Sequence, residues 1–217
     1  MTEGTDAGSP QRGPFIVNET KIANPGPLGL CGFALTTFVL SCANAGILKP
    51  GGEPIVIGLA LFYGGLAQLL AGMWEFRTGN TFGATAFVSY GAFWLSFGAI
   101  LVPGFGVKLA DAATANKAVG IYLVGWTIFT GIMMLASLRT NGATALVFIA
   151  LFITFLLLAL GAFGAKVTDT GPDTLTKAGG YMGIVTAIVA WYTALAGLLS
   201  SVFGGKQILP VIPLTKA

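Results

Sequence analysis

Charged residues are spaced so unevenly in this chain that their positions define its architecture. The 217 residues include only 11 Lys and Arg and 8 Asp and Glu residues. Ionised side chains are expensive in lipid, and a helix that crosses a bilayer needs about 20 apolar residues. Six charge-free stretches of sufficient length lie between the charges, at residues 22–48, 54–74, 78–107, 118–138, 140–165 and 178–205.

These stretches predict an all-α integral membrane protein, a six-transmembrane-helix bundle. They are apolar throughout, whereas the strands of a membrane β-barrel would alternate polar and apolar residues. The connections between them are short, so we expect no inserted soluble domain. The spans are predicted near residues 28–48, 54–75, 81–102, 117–138, 142–163 and 178–202.

Composition also indicates that most of the chain lies in a lipid bilayer. Hydrophobic residues make up 55% of the chain and charged residues only 9%, against about 25% charged residues in ordinary soluble domains. So few charges cannot cover the surface of a soluble protein of this length, and we expect a multi-pass protein of the cell membrane. The net charge of +3 comes without a basic cluster, which indicates no nucleic-acid partner.

The chain divides into three predicted parts. Residues 1–22 are expected to form a disordered tail and a short N-terminal interfacial segment, residues 23–205 the six-helix transmembrane domain, and residues 206–217 a short C-terminal tail. An even number of spans places both termini on one side of the membrane. That side holds six of the 11 Lys and Arg residues, so the positive-inside rule weakly favours cytoplasmic termini.

Several kinds of enzyme are disfavoured because their residues are missing. The chain has no His and no carboxylate in the middle of a predicted span. Zinc chemistry with His ligands and Ser-His-Asp catalysis therefore lack their groups, and there is no Walker sequence for ATP. We predict a protein that is not an enzyme, with no cofactor and no metal site, in which a gradient would drive transport.

Neutral polar side chains inside the spans carry the functional signal. Each should find a partner or line a wet cavity. A single Ser or Thr often bonds only its own helix, but two parallel polar stripes favour a shared pathway. Gln68 and Glu75 lie seven residues apart on the second span. The two stripes are Phe33, Thr37, Ser41 and Asn44 on the first span and Thr81, Thr85, Ser89 and Ser96 on the third.

The first span opens with Asn24-Pro25-Gly26-Pro27, a favourable helix start because proline fits the first turn. A helix N-terminus has unpaired N–H donors and a partial positive charge, so it can attract an anion. Simple capping explains the same residues equally well. Asn80 and Thr81 lie at the start of the third span, where they could likewise form an anion-attracting helix N-terminus or a simple cap.

Three ordered motifs carry a resemblance to a known family: NPGPLGL at residues 24–30, FYGGLAQLLAGMWEF at 62–76 and GNTFGATAFVSYGAFW at 79–94. The sequence resembles the acetate uptake transporter family, which includes succinate-acetate permeases and their fungal ammonia-and-acetate-export relatives. Gly26 stands where the family's NPAPLGL signature has Ala. The resemblance runs from about Lys21 to Phe203.

The resemblance implies a homo-oligomer, a hexamer in which each six-helix subunit conducts acetate or similar small carboxylates, with uptake linked to protons. It places a hydrophobic waist at Phe33, Tyr90 and Leu151. Many bacterial members have His where this chain has Ala43, so that residue's role does not carry over. The candidates for substrate binding are Asn24, Thr37, Asn44, Gln68, Glu75, Asn80, Thr81, Thr85, Ser89 and Trp94.

Alternatives remain open at this point. Ammonia or ammonium transport is one, because of the fungal relatives. Another is a non-transporting membrane sensor or scaffold whose small-residue faces serve only assembly. For Glu75, a proton relay competes with an ordinary surface ion pair with Arg77.

Overall fold

The computed structural model describes residues 22–49, 51–105, 111–164 and 172–214. Nearly all of the N-terminal part predicted for residues 1–22 lies outside these ranges. A short 3-10 turn at Pro103–Phe105 follows the third span. The six long helices are α1 Gly26–Asn44, α2 Ile55–Arg77, α3 Thr81–Leu101, α4 Ala112–Ser137, α5 Gly142–Gly164 and α6 Thr174–Val202.

All six helices are long and apolar enough to cross a membrane, which confirms the six-span prediction. Most ends agree with the predicted ones to within a few residues. The first helix stops at Asn44, four residues earlier than the charge-free stretch suggested. Gly46 adopts a left-handed backbone (φ +76°), which ends the helix before the stretch itself ends.

Helix α2 contains an irregularity that the sequence pattern did not predict. Its segment Leu59–Ala67 is π-helical, with α-helical turns on both sides. The Tyr63 carbonyl lies against Gly32 of α1, where a Cβ would come within 2.7 Å of that oxygen. Glycine at position 32 therefore lets the widened turns of α2 sit directly on α1.

The bundle is arranged around α1 and α6, which pack along each other. Helix α2 packs on α1 and α3, while α5 lies between α4 and α6. Small residues permit the closest approaches: a Cβ at Gly72 would come within 2.6 Å of the backbone nitrogen of Val88 on α3. Large apolar side chains such as Phe62 and Ile121 point outward, as lipid contact requires.

Residues 206–214, which we call the C-terminal strap, fold back onto the start of α5. The Gly142 N–H donates to the Ile212 carbonyl (2.7 Å), and the Leu214 N–H donates to the Thr140 carbonyl (3.2 Å). Ile212 has φ +53°, an unusual conformation for a β-branched residue. The described part of the predicted C-terminal tail is thus joined to the bundle by main-chain hydrogen bonds.

Candidate functional site

Two cavities enter the bundle from opposite ends. The terminus-side cavity, of about 340 Å³, lies where α1, α3 and α5 begin. The loop-side cavity, of about 670 Å³, lies where α4 and α6 begin. Phe33 and Leu151 line both cavities, so the two meet at these side chains.

The meeting point is apolar and tightly packed. Phe33 and Leu151 are 4% and 3% exposed, and Tyr90 on α3 is 2% exposed. The rings of Phe33 and Tyr90 lie 5.9 Å apart between centroids. Tyr90 lines the terminus-side cavity, and its hydroxyl is hydrogen-bonded to Thr130 of α4 (2.9 Å), so it is already paired. The structure therefore brings together the three residues assigned to the waist.

The loop-side cavity contains the polar stripe of α1. Thr37, Ser41 and Asn44 line it, with Trp94 of α3 opposite. Within the described residues, the buried Thr37 Oγ1 and Trp94 Nε1 atoms have no hydrogen-bond partner. An indole N–H can only donate, and a buried donor left unpaired is costly. Both groups are therefore suited to a ligand oxygen placed just beyond the waist.

The terminus-side cavity contains the buried carboxylate. Glu75 is 2% exposed, and its Oε2 accepts from Asn80 Nδ2 (2.8 Å) and Thr78 Oγ1 (3.3 Å). These side-chain partners replace the ion pair with Arg77 considered above. Gln68 also lines this cavity, and its buried Oε1 has no partner in the described part of the chain. A donor, such as a protonated acid or water, would satisfy that oxygen.

Three helix N-termini surround the terminus-side cavity, each bound by an asparagine side chain. Asn24 Oδ1 accepts from the Gly26 N–H (2.9 Å) at the start of α1. Asn80 accepts from Gly83 (3.0 Å) on α3, and Asn141 accepts from Thr144 (2.9 Å) on α5. All three asparagines line the cavity, so capping and cavity lining occur together here.

The polar stripe of α3 lies elsewhere. Thr81, Thr85 and Ser89 line neither cavity, and the first two are exposed. Ser96, also exposed, is hydrogen-bonded to Tyr122 (2.7 Å). Successive helical residues are about 100° apart, so the neighbouring face, which carries Tyr90, turns inward instead. The periodicity of α3 identified a polar face but not its direction.

Other lining residues were missed by the sequence reasoning. Asn141 repeats the pattern of Asn80, an asparagine directly before a span, so a signal for it was present. Gln207 and Val211 of the C-terminal strap line the terminus-side cavity, and Lys177 of α6 lines the loop-side cavity. Their places depend on how the chain folds back, which no local pattern reveals.

The sequence profile of the GPR1/FUN34/yaaH family matches residues 7–216. The chain belongs to this family. Acetate permease A of Emericella nidulans is 48% identical over 192 residues, covering 85% of this chain and 64% of the permease. This chain therefore spans less than two thirds of that fungal member of the GPR1/FUN34/yaaH family.

A bacterial relative matches over nearly its whole length. The succinate-acetate/proton symporter SatP of Escherichia coli K12 is 39% identical over 196 residues, covering 90% of this chain and 98% of the symporter. A solved structure of the bacterial acetate channel SatP superposes with a TM-score of 0.78 at 38% identity, covering 88% of this chain and 99% of that chain. The six-helix fold of this GPR1/FUN34/yaaH protein is thus that of the channel.

Proposed function

We propose that this chain conducts acetate and related small monocarboxylates across the membrane, along a path within one subunit. The observation that carries the proposal is the pair of cavities that meet at Phe33 and Leu151. Polar groups that have no hydrogen-bond partner among the described residues lie in the cavities on either side of this apolar point. The names of the relatives, an acetate permease and an acetate channel, support the same substrate.

The proposed path suits a molecule with an apolar tail and a charged head. Acetate is almost wholly ionised at pH 7, since carboxyl groups have pKa values near 4. Thr37 and Trp94 would donate to its oxygens on one side, and the side chains of Phe33 and Leu151 would contact its methyl group. A narrow apolar point between wet cavities limits passage to small solutes.

We propose that protons accompany the acid, with Glu75 as the relay. It is a buried carboxylate that lines the path, and Gln68 lies in the same cavity. A carboxylic acid that has taken up a proton would donate to the Gln68 oxygen. The name of the bacterial symporter supports coupling to protons.

The number of subunits and the orientation of the chain in the membrane are also proposals. We propose a hexamer, as the resemblance implies. Thr85 is exposed on a membrane span, and a hydroxyl at such a position favours contact with a neighbouring subunit over contact with lipid. We propose cytoplasmic termini from the balance of Lys and Arg. Native mass spectrometry would test the hexamer, and protease access to sealed vesicles would test the orientation.

Uptake of labelled acetate into proteoliposomes tests the path. The wild type should give saturable uptake, and Leu151→Trp should block it by filling the point where the cavities meet. Ile149→Trp is the matched control, because Ile149 lies on the same helix and is 37% exposed. If the wild type shows no saturable uptake, the function is wrong; if both variants behave alike, the path is wrong.

A further inference from the structure

Lys177 is the one Lys or Arg that lines either cavity within the described ranges. It lies in the first turn of α6, which starts at Thr174, and its side chain crosses to the end of α1. A Cβ at Gly46 would lie 3.5 Å from the Lys177 Cε atom. The side chain thus lies by the turn after α1, and it lines the loop-side cavity, as Asn44 does.

The carboxylate of Asp173, directly before this helix, is already bound to other groups. Asp173 Oδ1 accepts from the Leu175 N–H (2.8 Å) and the Thr176 N–H (3.1 Å), and its Oδ2 accepts from the Thr176 hydroxyl (2.6 Å). Its charge therefore faces the positive end of α6. The Lys177 side chain extends instead toward Gly46, in the turn after α1.

We propose that Lys177 attracts anions to the loop-side mouth and positions them for the polar stripe of α1. This role rests on the proposed function and adds a residue to it. Cavities with low-dielectric walls concentrate the field of a charge at their mouth, which raises the local concentration of counter-ions. The chemistry selected is the carboxylate, and a dicarboxylate is selected more strongly than a monocarboxylate.

The dependence on ligand charge gives a quantitative test. Coulomb energy is proportional to the charge of the ligand. If neutralising Lys177 weakens apparent acetate affinity by a given factor, the succinate dianion should lose about the square of that factor. A residue that only stabilises the end of α1 would lower the melting temperature and leave both affinities unchanged.

The experiment compares Lys177→Gln, Lys177→Arg and Lys117→Gln in vesicles of known orientation. Lys117 is an exposed lysine near the start of α4 that lines neither cavity. The measured quantities are KM for acetate and the inhibition constant of succinate on each side of the membrane. The melting temperature of each variant in detergent shows whether it is folded.

With Lys177→Gln, acetate KM at the loop-side mouth should rise roughly 3- to 10-fold, and the succinate constant by about the square of that factor. The constants for Lys177→Arg and Lys117→Gln should stay near those of the wild type. Raising the salt concentration should weaken the affinity of the wild type and of these two variants, but not that of Lys177→Gln. Equal changes for both ligands, or none, would overturn the role of Lys177. Wild-type vesicles without saturable flux would overturn the proposed function together with it.

Discussion

The two mouths of the bundle differ in the charges that surround them. At the terminus-side mouth, neutral asparagines bind three helix N-termini, and the Glu75 carboxyl group lies beside the first turns of α1 and α3. At the loop-side mouth, Asp111 and Asp173 cap α4 and α6 with a full negative charge. There the positive charge comes from Lys177, while the terminus-side mouth contains the buried carboxyl group of Glu75.

The proposed path for anions therefore has an asymmetric charge distribution. Helix N-termini provide fixed partial charges, whereas a lysine provides a full charge on a flexible stem. The terminus-side mouth should therefore respond to protonation of Glu75, and the loop-side mouth to salt.

Removing the division between the cavities should give the largest effect. Leu151→Ala should merge the two cavities and admit a larger acid, raising lactate uptake relative to acetate roughly 10-fold, since one or two methylene groups discriminate by about that much. Transport assays with both labelled acids measure the ratio. Ile149→Ala on the same helix is the control, and an unchanged ratio in a folded Leu151→Ala protein would contradict the position of the waist.

Removing the carboxylate from the terminus-side mouth should have a smaller effect. Glu75→Gln keeps an oxygen that accepts from Asn80 but cannot bind or release a proton. Acetate uptake driven by a proton gradient should fall several-fold, because the amide cannot take part in proton transfer. Flux down an acetate gradient alone should keep at least about half its rate.

The matched control for this variant is Glu53→Gln. Glu53 is an exposed carboxylate before α2 whose Oε2 accepts from the Gly51 N–H (2.8 Å). If Glu75→Gln lowers both kinds of flux equally, Glu75 serves the structure of the mouth and not proton transfer.

Replacing Asp173, which caps α6 at the loop-side mouth, should give the smallest effect. Burial raises the pKa of Asp173, but hydrogen bonds from Thr176 and Leu175 outweigh it, and the pKa is lowered below its ordinary value. Its stabilisation is thus fully present above the unfolded pKa, near 3.9, and is lost as pH falls through the folded value. Asp173→Ala should lower Tm by about 2–4 °C at pH 7, as expected for a lost cap.

Thermal unfolding in detergent over a pH series measures this effect. The difference between wild type and Asp173→Ala should shrink at acid pH, where the protonated carboxyl is only a neutral cap. Asp173→Asn gives α6 a neutral asparagine cap like those at the terminus-side mouth, and this variant should keep most of the stability at pH 7. A difference that grows on acidification would show that the cap is not responsible.

The sequence predicted the spans well because the cost of charge in lipid is large and acts at every position. It also predicted the inward residues of α1, where Thr37 and Asn44 line the loop-side cavity. It failed for Thr85, because a helical pattern shows which residues share a face but not what that face contacts. The π-helical turns of α2 depend on the close fit of Tyr63 and Gly32 and left no periodic signal.

The C-terminal strap has a practical consequence for anyone who labels this protein. Gln207 and Val211 line the terminus-side cavity, and the Leu214 N–H is bound to the Thr140 carbonyl just before α5. A fluorescent protein or purification tag attached next to the strap would therefore be tethered beside the opening of this cavity. Proteins prepared for transport measurements should carry their tags away from the strap.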